Sequence, residues 1–233
     1  MNALEETKIK LLAVDCLKAM KQQKTFRKLS AELNLPAGVL NRYINGYVLP
    51  KSDRASELIG FFIKNYLPKT LEASKIRGSK YIVTTDILSQ PFLLNVVAFR
   101  AAQGIKGKVT LVLTAAVDGI PLAVAIANML GVRAIYAKHT REVSFSDHYI
   151  SKGSADKPIS SPFYLSKSLL KKNDAVLIVD DVIRAGTTFE SLTSICSQAK
   201  ASITGIFAIF ITTSALAELR KRNSVSYLML AEE

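Results

Sequence analysis

The chain has 233 residues, 49% of them apolar, a net charge of +12 and two cysteines. That apolar content supports a sizeable core and excludes a disordered chain. Cys16 and Cys196 lie far apart with no CxxC pair, which excludes a disulfide framework or zinc ribbon and suits a reducing cytosol.

No apolar run reaches the roughly 18–20 residues of a membrane span. The stretch MNALEETKIK carries Glu5 and Glu6 and no apolar signal core, so a cytoplasmic protein without membrane attachment is expected. Charge is unevenly spread. Residues 1–77 hold 14 Lys/Arg against 7 Asp/Glu, and residues 78–233 hold 17 against 12. The first third thus carries over half of the positive excess, which many soluble proteins also show.

Leu4, Leu11, Leu12, Val14, Leu17 and Met20 recur near helical spacing and predict a helix over 4–22. Thr25 can cap a second helix over 26–33, Asn34 suits a tight turn, and Pro36 opens a third helix to about residue 45, stopped by Gly46. Ser52 or Asp53 would cap a fourth, RASELIGFFIKNYL, ended by Pro68. A short helix around 69–76 leads to a linker at Arg77-Gly78-Ser79.

Beyond it the pattern alternates. KYIVTT reads as a strand, QPFLLNVVAFRAAQ as a helix, KVTLVLT as a strand, GIPLAVAIANML as a helix and VRAIYAK as a strand. A polar segment over 139–165 holds a hairpin near VSFSDHYI and a short strand at PFYL. Then come strand AVLIVD, helix TFESLTSICSQA, strand SITGIFAIFI, helix SALAELRKR and strand VSYLML. Apolar strands alternating with helices predict a mostly parallel sheet covered on both faces, with ligands beyond the carboxyl ends of its strands.

One such end reads VLIVDDVIRAGTT, residues 176–188. Arg184, Ala185, Gly186, Thr187 and Thr188 open a helix and form an anion cup from backbone N–H groups and hydroxyls. Asp180 and Asp181 would repel phosphate but can accept hydrogen bonds from vicinal hydroxyls. A sugar 5-phosphate meets both demands. The stretch resembles the phosphoribosyl-diphosphate (PRPP) motif of type I phosphoribosyltransferases, and the order of elements over 79–233 is similar to theirs.

By that resemblance, Ala115, Ala116, Val117, Asp118 and Gly119 form the pyrophosphate loop, and Lys138 faces pyrophosphate. Residues 139–160, with Arg141 and Lys152, correspond to a mobile loop over the substrate. PRPP is then the expected effector, and Mg2+ would arrive with its diphosphate, mostly hydrated. His139 and His148 suggest no protein metal site. Arg184 departs from the hypoxanthine-guanine enzymes, which place an acid there as proton acceptor. A guanidinium cannot act as a base near neutral pH. The bacterial purine repressor is similar in having a basic residue there. Arg184 therefore points to binding without turnover, with no catalytic residue assigned.

Near the other end, TFRKLSAELNLPAGVLNRYINGYVLP, residues 25–50, has the spacing of a helix-turn-helix locked by Leu29, Leu33, Leu35, Leu40 and Ile44. It resembles the Cro/C1-type repressor domains, with Ser30 and Asn34 replacing the usual small packing and turn residues and Ile44 a frequent Glu. The second helix would offer Ala37, Gly38, Asn41, Arg42 and Asn45 to a major groove. Arg27, Lys28, Tyr47 and Lys51 would hold phosphates.

The fold class expected is α/β: an all-α helix-turn-helix domain over 1–77, then a type I phosphoribosyltransferase-like domain over 78–233 with a mostly parallel central sheet. The function expected is a homodimeric regulator that binds double-stranded DNA and senses PRPP or a nucleotide, in purine metabolism by resemblance. An active nucleobase phosphoribosyltransferase with a helical appendage is the alternative.

Overall fold

The computed structural model describes residues 3–76, 79–141, 143, 147–152 and 161–233. Residues 77 and 78 of the expected linker, and 142, 144–146 and 153–160 of the expected loop, lie outside the described residues. The chain divides into two compact units, Met1–Ser74 and Lys75–Glu233.

The first unit is helical: α1 (Ala3–Gln23), α2 (Phe26–Leu33), α3 (Ala37–Ile44), α4 (Ser52–Asn65) and α5 (Leu67–Ala73). Its core joins Ala13, Cys16, Leu17 and Met20 of α1 to Leu29, Leu40, Ala55, Leu58, Ile59 and Phe62. Thr25 caps α2 by accepting from the Lys28 N–H, and Asn34 takes a left-handed φ of 49° that ends it. Two expectations change. Ser52 and Asp53 lie inside the first turn of α4 behind Lys51, because the Ser52 hydroxyl bonds Glu6 of α1 rather than a backbone N–H. Pro68 starts α5 instead of only ending α4, since proline fits the first turn of a helix.

The second unit opens with α6 (Thr85–Leu88) and α7 (Pro91–Gly104). β1 (Leu111–Ala115), α8 (Gly119–Leu130) and β2 (Arg133–Ala137) follow, then a small antiparallel pair, β3 (His148–Ile150) with β4 (Tyr164–Ser166). It closes with β5 (Ala175–Ile183), α9 (Thr187–Ala199), β6 (Ser202–Thr212), α10 (Thr213–Leu219) and β7 (Val225–Ala231). The expected strand KYIVTT does not form. Only Ile82 makes a bridge, to Lys75, while Tyr81 and Val83 stay exposed and Thr85 enters α6. An apolar run without a partner strand leaves its ladder unmade.

The five long strands form one sheet in the order β2-β1-β5-β6-β7, every pairing parallel. It is buried on both faces. Leu111, Leu113, Val176, Ile178, Ile206 and Ala208 pack with residues of α9 and α10 such as Leu192, Ile195 and Leu216. The alternate set Val112, Leu177, Val179, Phe207 and Ile209 is equally buried and points the other way. This is the type I phosphoribosyltransferase architecture. β1 leads outward to β2, and β5 leads the other way to β6 and β7, so the connection sense reverses between β1 and β5. A crevice at their carboxyl ends follows from that reversal.

Candidate functional site

The crevice opens because two neighbouring strands part. β1 pairs with β5 only over Val176, Leu177 and Ile178, whereas β5 stays on β6 as far as Ile183. Asp180 and Asp181 therefore lie within β5, held by β6 on one side and released by β1 on the other. The sequence suggested that the strand stops at the acids; the pairing with β6 carries it three residues further.

The two carboxylates have separate surroundings. Asp180 is half-buried, and its Oδ1 accepts the Asp181 N–H at 3.0 Å. Burial, and after it the charge of Asp181, hold the Asp180 carboxyl well above the usual carboxylate range; Asp118 adds to the rise. Asp181 is 8% exposed, and its Oδ2 accepts the hydroxyl of Thr84 at 2.6 Å. A cavity of about 260 Å³ is lined by Asp180, Arg184, Ala185, Gly186, Thr187 and Thr188, among others, but not by Asp181.

At its floor α9 starts from Gly186, whose φ of +71° suits glycine, and no side chain caps the helix. The first N–H groups of α9 are thus open to an anion. Thr187 and Thr188 add hydroxyls. The turn is pinned from behind, since Thr212 donates its hydroxyl to the Arg184 carbonyl at 2.7 Å. The Arg184 guanidinium donates to the Lys80 carbonyl at 2.6 Å.

The loop after β1 comes to the same place. Ala116 donates to the Ala137 carbonyl at 2.8 Å, the Ala116–Val117 peptide is cis, and Val117 and Asp118 are exposed. Gly119 is buried against Thr114 and Asp180: a Cβ there would overlap the Thr114 hydroxyl and lie 3.3 Å from Asp180 Oδ1. The structure therefore joins the loop 115–119 to the corner 180–188. Lys138 goes elsewhere. Its ammonium lies 5.1 Å from the centre of the Tyr136 ring, and it lines a separate cavity of about 330 Å³ with His148 and Tyr164. His139 packs on Phe163, ring centres 3.9 Å apart. Among the described residues no cluster of His, Cys, Asp and Glu is set to hold a metal ion. The corner can hold a phosphate ester that also carries hydroxyls, with donors for the one and an acceptor for the other.

In the helical unit the residues singled out by sequence are all at the surface. Arg27, Lys28, Ala37, Gly38, Asn41, Arg42, Asn45, Tyr47 and Lys51 are exposed. The turn between α2 and α3 is fixed by Ser30, whose hydroxyl donates to the Leu35 carbonyl at 2.6 Å while its own carbonyl accepts the Leu35 N–H at 3.2 Å. Asn45 donates its amide to the Asn41 side-chain oxygen at 2.9 Å, which orders one edge of α3.

Residues 83–226 match the Phosphoribosyl transferase domain family. This chain belongs to that family. Among curated relatives of the phosphoribosyl transferase domain here is the "Probable purine biosynthesis transcriptional regulator PurR" of Streptococcus pneumoniae, 31% identical over 153 residues, covering 64% of this chain and 54% of the regulator. The chain thus spans about half the length of that relative. The xanthine phosphoribosyltransferase of Brevibacillus brevis is 33% identical over 144 residues, or 60% of this chain and 72% of that enzyme. Among solved structures, the adenine phosphoribosyltransferase of Thermoanaerobacter pseudethanolicus superposes with a TM-score of 0.59 at 15% identity, over 70% of this chain and 98% of that one. It bears on the fold alone.

Three residues that hold this corner were not legible in sequence. Thr84 meets Asp181 across 97 positions, Thr212 meets Arg184 across 28, and Thr114 lies buried under Gly119. Threonines inside apolar or strand-like runs carry no local mark of such bonds.

Proposed function

We propose that the chain is a DNA-binding transcription regulator. Its helical part, residues 1–77, reads double-stranded DNA, and its phosphoribosyl transferase domain, residues 78–233, binds PRPP or a nucleotide as effector. The observation that carries the reading is the outward face of α3. It is an eight-residue helix, locked to α2 by Ser30 and Leu35, with Asn41, Arg42 and Asn45 exposed. Arginine can read guanine and asparagine adenine in a major groove, while Arg27, Lys28, Tyr47 and Lys51 flank the helix for phosphates. The likeness to a purine-biosynthesis regulator supports control of purine or nucleotide genes. A homodimer would place two α3 helices about one DNA turn apart, roughly 34 Å.

In the effector site, the N–H groups of α9 with Thr187 and Thr188 take the 5-phosphate, and Asp180 takes the ribose hydroxyls. The loop 115–119 takes the diphosphate. Mg2+ would arrive with the diphosphate and keep most of its waters, with Asp118 exposed beside that loop. Arg184 stands where the hypoxanthine-guanine enzymes place an acid, and a guanidinium cannot act as a base near neutral pH, which supports binding without turnover.

The test is fluorescence anisotropy with DNA from upstream of the protein's own reading frame, with and without PRPP and Mg2+. Salt-dependent, sequence-specific binding that PRPP shifts in either direction is expected. Absence of specific binding in both conditions would sink the regulator reading. The second reading, an active phosphoribosyltransferase, is favoured by the complete cup and the likeness to a xanthine enzyme. Release of pyrophosphate from PRPP with xanthine or another nucleobase would establish it.

A further inference from the structure

Residues 79–84 form a strap fastened over the effector corner at two points. Its backbone is ordered by the Ser79 N–H on the Ile76 carbonyl at 3.1 Å, the Ile76 N–H on the Tyr81 carbonyl at 3.2 Å, and the bridge between Lys75 and Ile82. The first fastening is buried: Thr84, 8% exposed, donates to Asp181 Oδ2 at 2.6 Å. The second is half-exposed: the Arg184 guanidinium donates to the Lys80 carbonyl at 2.6 Å.

The fastenings differ in kind. Thr84 bonds a carboxylate that lies outside the cavity lining, so a ligand in the cup leaves that bond alone. Arg184 does line the cavity, and its partner is a neutral carbonyl. The guanidinium is ionised in both positions, so both bonds are charge-assisted, but a phosphate adds an opposite charge and oxygens that match the planar fork, which the Lys80 carbonyl lacks. That difference favours an anion in the cup over the Lys80 carbonyl as the partner of Arg184.

We propose that Arg184 is a two-position reporter of the cup. When the cup is empty it holds the strap at Lys80; when a phosphate ester fills the cup it swings to the anion and frees Lys80, while Thr84 keeps the strap hinged on Asp181. The proposal rests on the effector reading above and adds its regulation. The strap is the first described segment after residues 77–78. A ligand shifts the strap only by its differential affinity for the two positions of Arg184.

The experiment is amide hydrogen exchange by mass spectrometry on the full chain, wild type and Arg184→Gln, with and without PRPP and Mg2+, after calorimetry has shown whether PRPP binds. In the wild type, PRPP is expected to slow exchange over 185–190, where it covers the start of α9, and to speed exchange over 79–84 by about five-fold. Arg184→Gln should show the faster strap rate without ligand and no further rise with it. PRPP binding that leaves 79–84 unchanged or slower overturns the proposal and leaves the effector reading standing. Failure of PRPP to bind overturns the effector reading instead. The ligand-free comparison then decides the clasp alone: equal strap rates in the two proteins overturn it. Thr84→Val should loosen the strap in both states while leaving the slowing at 185–190 intact, which a general loss of folding would not.

Discussion

The two units present function in opposite ways. In the helical unit the groups proposed to work are side chains on the outside of one short helix, and the residues that hold the helix are different ones underneath. In the α/β unit the groups proposed to work are backbone N–H donors and a half-buried acid beside a buried one, held by bonds spanning 28 to 97 positions of chain. A surface reader can therefore lose function without losing stability, whereas an inward cup ties the two together.

The strongest way to break that separation is from below. Leu40 is fully buried beneath the exposed face of α3, and Leu40→Ala should cost about 2–5 kcal/mol. Circular-dichroism melting should show early loss of the helical unit, with DNA binding abolished and PRPP affinity retained. Arg42→Ala acts from above: it should cost about 1–3 kcal/mol of site discrimination and relax preference at one base position, with melting unchanged. If Arg42→Ala left DNA binding untouched, α3 would not be the reading helix.

Asp180→Asn sharpens the contrast in the other unit. A folded carboxyl held above its unfolded range by burial, Asp181 and Asp118 favours folding at low pH and loses that contribution as pH rises through the folded value. The substitution should raise Tm at pH 7.5 by about 2–4 °C, roughly 1 kcal/mol for a chain this size, and give no gain at pH 4. It should also abolish the PRPP response while operator affinity stays. Scanning calorimetry at both pH values checks the sign. The smallest effect belongs to Lys28→Ala, which should weaken binding to all sequences alike and lower the salt dependence by about one phosphate contact.

Sequence reached furthest where its signals are local. The Thr25 cap, the left-handed Asn34 and the buried Leu29, Leu33, Leu35 and Leu40 are all readable within a few residues. So are Gly186 and the hydroxyls after it. The acid pair was legible as chemistry but not as geometry, because the continuation of β5 through Ile183 depends on β6. KYIVTT misled because β-branched residues favour strands only when a neighbour pairs with them. Lys138 and the Thr84–Asp181 bond depend on the path of the chain through space, which composition does not encode.

Gly119 carries a consequence for reading other genomes. Its missing side chain leaves room for the Thr114 hydroxyl and the Asp180 carboxylate at one point, so a larger residue there must push the Thr114 hydroxyl aside and crowd Asp180. On the effector reading proposed above, the letter at that position should separate chains with this arrangement of units that keep a small-molecule response from those that have lost it.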